Sequence, residues 1–140
     1  MKRLFYLFTI ITLTATMSCS QNTSQKVAEM TFKDGLEHDF GTIPFGGNGT
    51  YEFVFKNTGK EPIIITNVQS SCGCTVPTYA KEPVNAKKTG TIKVSYDTNR
   101  VGTFTKTITV HSNAKDSPIV LKIKGEVKPK VEEKTGEKTN

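Results

Sequence analysis

Apolar and polar residues alternate with a period of two along most of the middle of this chain, and that pattern admits strands and little else. From Thr50 to Lys56 it places Tyr51, Phe53 and Phe55 on one face and Glu52, Val54 and Lys56 on the other. Thr91 to Asp97 sets Ile92, Val94 and Tyr96 against Lys93 and Ser95. Thr103 to Ser112 sets Phe104, Ile108 and Val110 against Thr and His, and Ile119, Leu121 and Ile123 form a last apolar row. Ile63 to Gln69 is β-branched and opens after Pro62, while Thr31 to Lys33 and Leu36 to Phe40 are weaker candidates.

The breaks between these runs carry turn chemistry. Asn57-Thr58-Gly59-Lys60 offers residues that tolerate positive φ, so the flanking strands are expected to form a hairpin. Asp97 to Gly102 is a second turn, and Asn113 to Ser117 a third polar break. Six or seven short strands at this spacing predict an all-β fold, an immunoglobulin-like antiparallel β-sandwich of about seven strands. Its core would rest on Phe40, Phe53, Phe55, Ile65, Val94, Phe104, Ile108, Val110 and Leu121. The inter-sheet disulfide and buried Trp of antibody domains are missing, since the chain has no Trp.

The ends differ from this middle. Lys2 and Arg3 precede an apolar stretch, Leu4 to Leu13, diluted by Thr9 and Thr12, and a small-residue exit at Ala15 to Ser18. That is the plan of an export signal, and it falls short of the roughly 20 apolar residues of a membrane-spanning helix. Residues 1–18 are therefore read as a lipoprotein-type signal peptide, with cleavage before Cys19 and a lipid on its thiol. Ala15-Thr16-Met17-Ser18-Cys19-Ser20 resembles a bacterial lipobox, with Thr16 where Leu is commonest. Residues 19–29 then form a polar tether, 30–127 the folded domain, and 128–140 a Lys/Glu-rich tail too poor in apolar residues to offset the entropy of ordering. Cysteine parity agrees: of three cysteines, one taken by lipid leaves Cys72 and Cys74 as a pair in a compartment that permits oxidation.

Net charge is +6, but without Lys2 and Arg3 it falls to 17 basic against 13 acidic residues. The lysines are scattered singly along strands, and no basic cluster alternates with aromatics. Nucleic acid is not an expected partner.

Several of these pieces together resemble a known family. They are Phe40-Gly41-Thr42-Ile43; the run Phe53 to Ile63 with Phe55, Asn57, Gly59 and Pro62; Ser71-Cys72-Gly73-Cys74-Thr75; Gly90-Thr91-Ile92; Ser112-Asn113; and Leu121, Ile123 and Gly125. The combination is similar to the bacterial domain-of-unknown-function family 1573, related to the immunoglobulin-like modules of the Hydin and major-sperm-protein type. Where such domains often have Pro-Gly, this chain has Ala86-Lys87-Lys88-Thr89. The resemblance implies an envelope protein, often a lipoprotein, whose relatives are assembly modules.

Chemistry, if present, belongs to Ser70-Ser71-Cys72-Gly73-Cys74-Thr75. Gly73 permits the bend that two thiols so close in sequence require. The first reading is structural, a disulfide or packed thiol pair pinning the loop, with a Cys-x-Cys bridge expected to be strained and easily reduced. The second is Cu(I) held by two soft thiolates, to which only His38 and His111 could add an imidazole; neither is assigned as a ligand. The third is thiol exchange, disfavoured because no helix terminus follows to lower a thiol pKa. No catalytic elbow or phosphate loop is present. Two functions follow: a lipid-anchored, non-catalytic binding or assembly module without cofactor, whose partner is another envelope protein, or a small copper or redox carrier using Cys72 and Cys74.

Overall fold

The computed structural model describes residues 27–130, and these form two packed four-stranded sheets with no helix. One sheet has the order β1-β3-β6-β5, with β1 at Met30–Phe32, β3 at Thr50–Asn57, β6 at Thr89–Tyr96 and β5 at Thr75–Tyr79. The other has the order β2-β8-β7-β4, with β2 at Glu37–Pro44, β8 at Ile119–Lys128, β7 at Gly102–Ser112 and β4 at Ile65–Ser70. The immunoglobulin-like β-sandwich expected from the alternation is present. It has eight strands rather than about seven, and β2 runs parallel to β8 while every other pair is antiparallel.

The inward rows of the two sheets form one core. Phe53 and Phe55 meet Ile92 and Val94 on their own sheet, and face Phe104, Ile108, Val110, Leu121 and Ile123 on the other. Of the core expected from sequence, all members are buried except Phe40, which is half-buried against the cluster. Tyr96 and Phe104 stack across the sheets at 3.8 Å between ring centroids.

Two glycines make room for this core. Gly90 lies directly opposite Phe55 on β3, and Gly125 directly opposite Phe104 on β7. In each case a Cβ on the glycine would meet the phenyl ring, at 2.9 Å for Gly125 and closer still for Gly90. Each phenyl therefore covers the bare backbone of the neighbouring strand, which a side chain at that position would prevent.

The expected hairpin between the strands flanking Asn57-Gly59 is not formed: β3 and β4 lie in different sheets. Two side-chain amides redirect the chain. Asn57 is fully buried, and its Nδ2 donates to the carbonyls of Glu61 and Val84, both at 2.8 Å, while its Oδ1 accepts from Gly59 N at 3.0 Å. From the opposite sheet, Asn113 donates to Pro62 O at 2.9 Å and accepts from Ile64 N at 2.8 Å. The segment between them drives Ile63 into the core at 0% exposure and carries the chain from one sheet to the other.

Elsewhere, β2 carries a bulge in which Phe40 and Gly41 stand opposite Gly125, with Gly41 at φ 61°. The bulge keeps both Phe40 and Ile43 facing inward although they are three residues apart. In the turn before β6, at Ala86-Lys87-Lys88, Lys87 takes φ 66° and donates its N–H to Asn57 O at 2.9 Å.

Asn57→Ala would remove three hydrogen bonds, leaving Gly59 N and Glu61 O without partners while Val84 O keeps its bond from Ile63 N. At about 1 kcal/mol per bond, a loss of about 3 kcal/mol is expected in urea unfolding. Asn57→Asp, which keeps the acceptor but buries a charge and donates nothing, should be no better tolerated. An Asp variant as stable as wild type would show that the two donated bonds do not hold the crossover.

Candidate functional site

The Cys72-Gly73-Cys74 run lies where the chain leaves the edge of one sheet, β4, and enters the edge of the other, β5. Both flanks are tied down by hydrogen bonds. Ser71 N donates to Thr107 O at 2.9 Å and Ser71 Oγ accepts from Thr107 N at 3.2 Å, fastening the start of the loop to β7. Ser70 Oγ donates to Cys72 O at 2.8 Å and accepts from Cys72 N at 3.3 Å. Thr75 N closes a turn onto Cys72 O at 3.4 Å, and Asp97 N donates to Cys74 O at 2.9 Å, fastening the end of the loop beyond β6.

A disulfide joins Cys72 to Cys74, whose Cα atoms are 5.3 Å apart. The two sulfurs have different surroundings. Cys74 is 7% exposed and belongs to the core, whereas Cys72 is only partly buried and packs against it. The hydroxyl of the buried Thr75 stands 3.7 Å from the Cys72 sulfur and 3.9 Å from the Cys74 sulfur. Gly73 is exposed, with nothing within 4 Å of where a Cβ would stand, so the bridge is approachable from that side.

The imidazoles lie elsewhere. His38, on β2, stacks on Tyr51 of the facing sheet at 3.5 Å between ring centroids and meets Phe40 edge-on at 4.6 Å. Partial burial pushes its pKa down, against a smaller upward pull from Asp39. His111 stands on the outer row of β7, with Asn67 of β4 opposite. Neither joins the cysteines, and among the described residues no group of three or more His, Cys, Asp and Glu is arranged to hold a metal ion. Cys19 lies outside the described residues, as do residues 131–140 of the expected tail. Thr107 and Asp97, which hold the loop's flanks, were not singled out from sequence. Their only signal is that each falls where a neighbouring strand ends or passes the motif.

Comparison with known proteins places the domain. Residues 30–127 match the model of the family described as "Protein of unknown function (DUF1573)". The chain belongs to that family. No curated protein matches. Among solved structures, a protein of unknown function from Porphyromonas gingivalis W83 aligns with TM-score 0.63 at 14% identity over 72% of this chain. The chain spans about half, 47%, of that protein's length. The ASH/PapD-like domain 7 of human CEP192 aligns with TM-score 0.59 at 8% identity, covering 76% of this chain and 88% of the domain. The VesB protease of Vibrio cholerae aligns with TM-score 0.56 at 9% identity over 71% of this chain and 32% of its own. At these identities the DUF1573 chain shares a fold with them, an immunoglobulin-like sandwich also found in PapD-like domains.

Two measurements follow. Because His38 is held below its unfolded pKa of roughly 6.5, the unfolded chain binds the proton first as pH falls. Its contribution is therefore present above that value and lost below it, and the melting temperature should drop between pH 7.5 and about 5.5. His38→Phe, which keeps the stack on Tyr51, should flatten that part of the profile. An equally steep profile in the variant would assign the dependence to another group.

The loop that the disulfide closes is so short that chain entropy accounts for only about 1.5 kcal/mol of stabilisation. The double variant Cys72→Ser, Cys74→Ser is therefore expected to fold and to lose about 1–2 kcal/mol in denaturant unfolding. A loss several times larger would make the bridge a main support of the sandwich.

Proposed function

We propose that this DUF1573 domain is a non-catalytic binding or assembly module of the cell envelope, held at a membrane by a lipid on Cys19, that docks an extended segment of another envelope protein on the edge of β4. The observation that carries the reading is the uneven protection of the four sheet edges. A free edge is a template for pairing, and proteins that do not use one blunt it with shortness, charge, bulges or proline.

Three edges are blunted in this way. β1 is three residues long. β2 carries Glu37 and Asp39, ion-paired with Lys124, then the Gly41 bulge and Pro44. On β5, the bond from Asp97 N to Cys74 O shows that Cys74 faces β6; by alternation Val76 and Thr78 do too, and Pro77 stands on the outer side where a donor would be exposed. β4 is different. Its sequence, Ile65-Thr66-Asn67-Val68-Gln69-Ser70, has neither charge nor proline, although its register shifts near Thr66. Ser71 N points at β7, so by alternation Val68 and Ser70 present their backbone groups outward. An added strand there would extend the sheet through main-chain bonds.

Address and docking are tested separately. Cys19→Ser should lose the acyl mass and move from the membrane to the soluble fraction; wild-type protein that is soluble and starts at another residue would overturn the anchor. For docking, Asn67→Lys with Gln69→Lys places two cations on the exposed row of β4 while leaving the core untouched. Recovery of cross-linked envelope partners should fall about tenfold. Undiminished recovery with the same set of partners would remove β4 as the docking edge. A copper carrier, the rival reading, would instead yield stoichiometric Cu(I) from wild type and none from the cysteine double variant.

A further inference from the structure

We infer that the Cys72–Cys74 bridge is a thiol-exchange site, opened by the thiolate of a cysteine on another exported protein, with Cys72 as the sulfur attacked and Cys74 as the leaving group. The inference is independent of docking at β4, since it concerns the loop and not the strand edge.

Three features of the loop carry it. First, the backbone on either side is held without the bridge: Cys72 through Ser70, Ser71 through Thr107, and Cys74 through Asp97. Opening the disulfide would leave these bonds in place, so the bridge is not the only fastening of the loop. Second, access is one-sided. Exchange requires an incoming sulfur to line up with the bond it breaks, and the more accessible Cys72, beside the unobstructed Gly73, admits it, whereas Cys74 is enclosed by the core. Third, a donor stands beside both sulfurs, Thr75 Oγ1 lying 3.7 Å from Cys72 Sγ and 3.9 Å from Cys74 Sγ. Once Cys72 is taken into the mixed disulfide, this hydroxyl can hydrogen-bond a thiolate on Cys74, and a hydrogen bond to the charged form lowers the pKa of the leaving thiol.

The chemistry balances without a further reactant. The incoming thiolate forms a bond to Cys72 Sγ as the bond from Cys72 Sγ to Cys74 Sγ breaks. The electron pair departs on Cys74 Sγ, which takes up the proton that the incoming thiol released. The product is a mixed disulfide through Cys72 and a free Cys74 thiol. It reverts when Cys74 attacks Cys72 Sγ and expels the partner. When the partner carries a second thiol, attack on the partner's own sulfur of the mixed disulfide releases Cys72, leaving the partner oxidised and both cysteines reduced.

The test uses the full chain with Cys19→Ser, so that Cys72 and Cys74 are the only sulfurs able to exchange. The oxidised protein is incubated with reduced glutathione without denaturant, quenched with acid and N-ethylmaleimide, and mapped by peptide mass. The expected result is a glutathione adduct on Cys72 and maleimide on Cys74, with the far-ultraviolet circular dichroism unchanged. In single variants on the same background, the lone Cys72 of Cys74→Ser should react with maleimide about tenfold faster than the lone Cys74 of Cys72→Ser. Thr75→Val should slow opening several-fold and Thr75→Ser restore it. The inference is overturned by a bridge that opens only after denaturation, by glutathione mainly on Cys74, by equal maleimide rates, or by two free thiols in protein purified under air. Because each readout is a sulfur modification, its failure leaves the docking experiment on β4 unaffected.

Discussion

The sandwich depends on one buried amide. Asn57 ends β3 inside the protein, where an unsatisfied polar side chain would cost several kcal/mol. Both its Nδ2 donors and its carbonyl are engaged, and its backbone groups bind Lys88 O and Lys87 N. Five bonds thus converge on one residue, fixing the exit from β3, the approach to β6 and the path of Glu61. Asn113, contributed by the far sheet, grips the same segment from its other side. The crossover between them places Ile63 at the centre and so sets which strands face one another.

That arrangement explains what could and could not be read from the sequence. Strand identity was legible because a half-buried strand must alternate, and the rows led by Phe53, Val94, Ile108 and Leu121 do so. Pairing was not. A short loop containing Asn and Gly is compatible with a hairpin or with a step between sheets, and the choice lies in whether the Asn side chain is exposed or buried. Its donors go to Glu61 and Val84, and the matching clamp comes from Asn113, a position no local pattern connects to it. β5 was hidden for another reason: Pro77 argues against a strand unless its missing N–H faces outward, which only the position of β6 reveals.

Similar reasoning separates what was legible in the site. The bend at Gly73 and the pairing of two thiols follow from spacing and residue type. The inequality between the sulfurs does not, because it arises from the surroundings: Cys74 is buried next to the first residue of β5, while Cys72 belongs to the turn that precedes it and is only partly buried. Thr75 could be read only as a neighbour. Its burial beside both sulfurs comes from the register that sets it opposite Tyr96, whose ring is itself held against Phe104.

The edge analysis and the loop chemistry have a common origin in topology. Passing repeatedly between sheets, the chain leaves β4 and β5 as successive strands on the same side of the sandwich, one at the edge of each sheet. Whatever joins them must turn through the gap between layers in four residues, Ser71 to Cys74. A turn so tight brings residues 72 and 74 together, yet hydrogen bonds from Ser70, Thr107 and Asp97 already hold its flanks. A cross-link there adds little stability, since closing so short a loop removes little entropy from the unfolded chain. Reactivity is what such a bridge can contribute instead: it stands exposed on one side, next to β4, the longer of the two sheet edges without charge or proline. A partner strand laid along β4 would run past Ser70 and reach the loop, so a cysteine near the end of that strand would meet Cys72 at high effective concentration. Docking would then set which thiol reacts, and the disulfide would make a weak main-chain contact reversibly covalent.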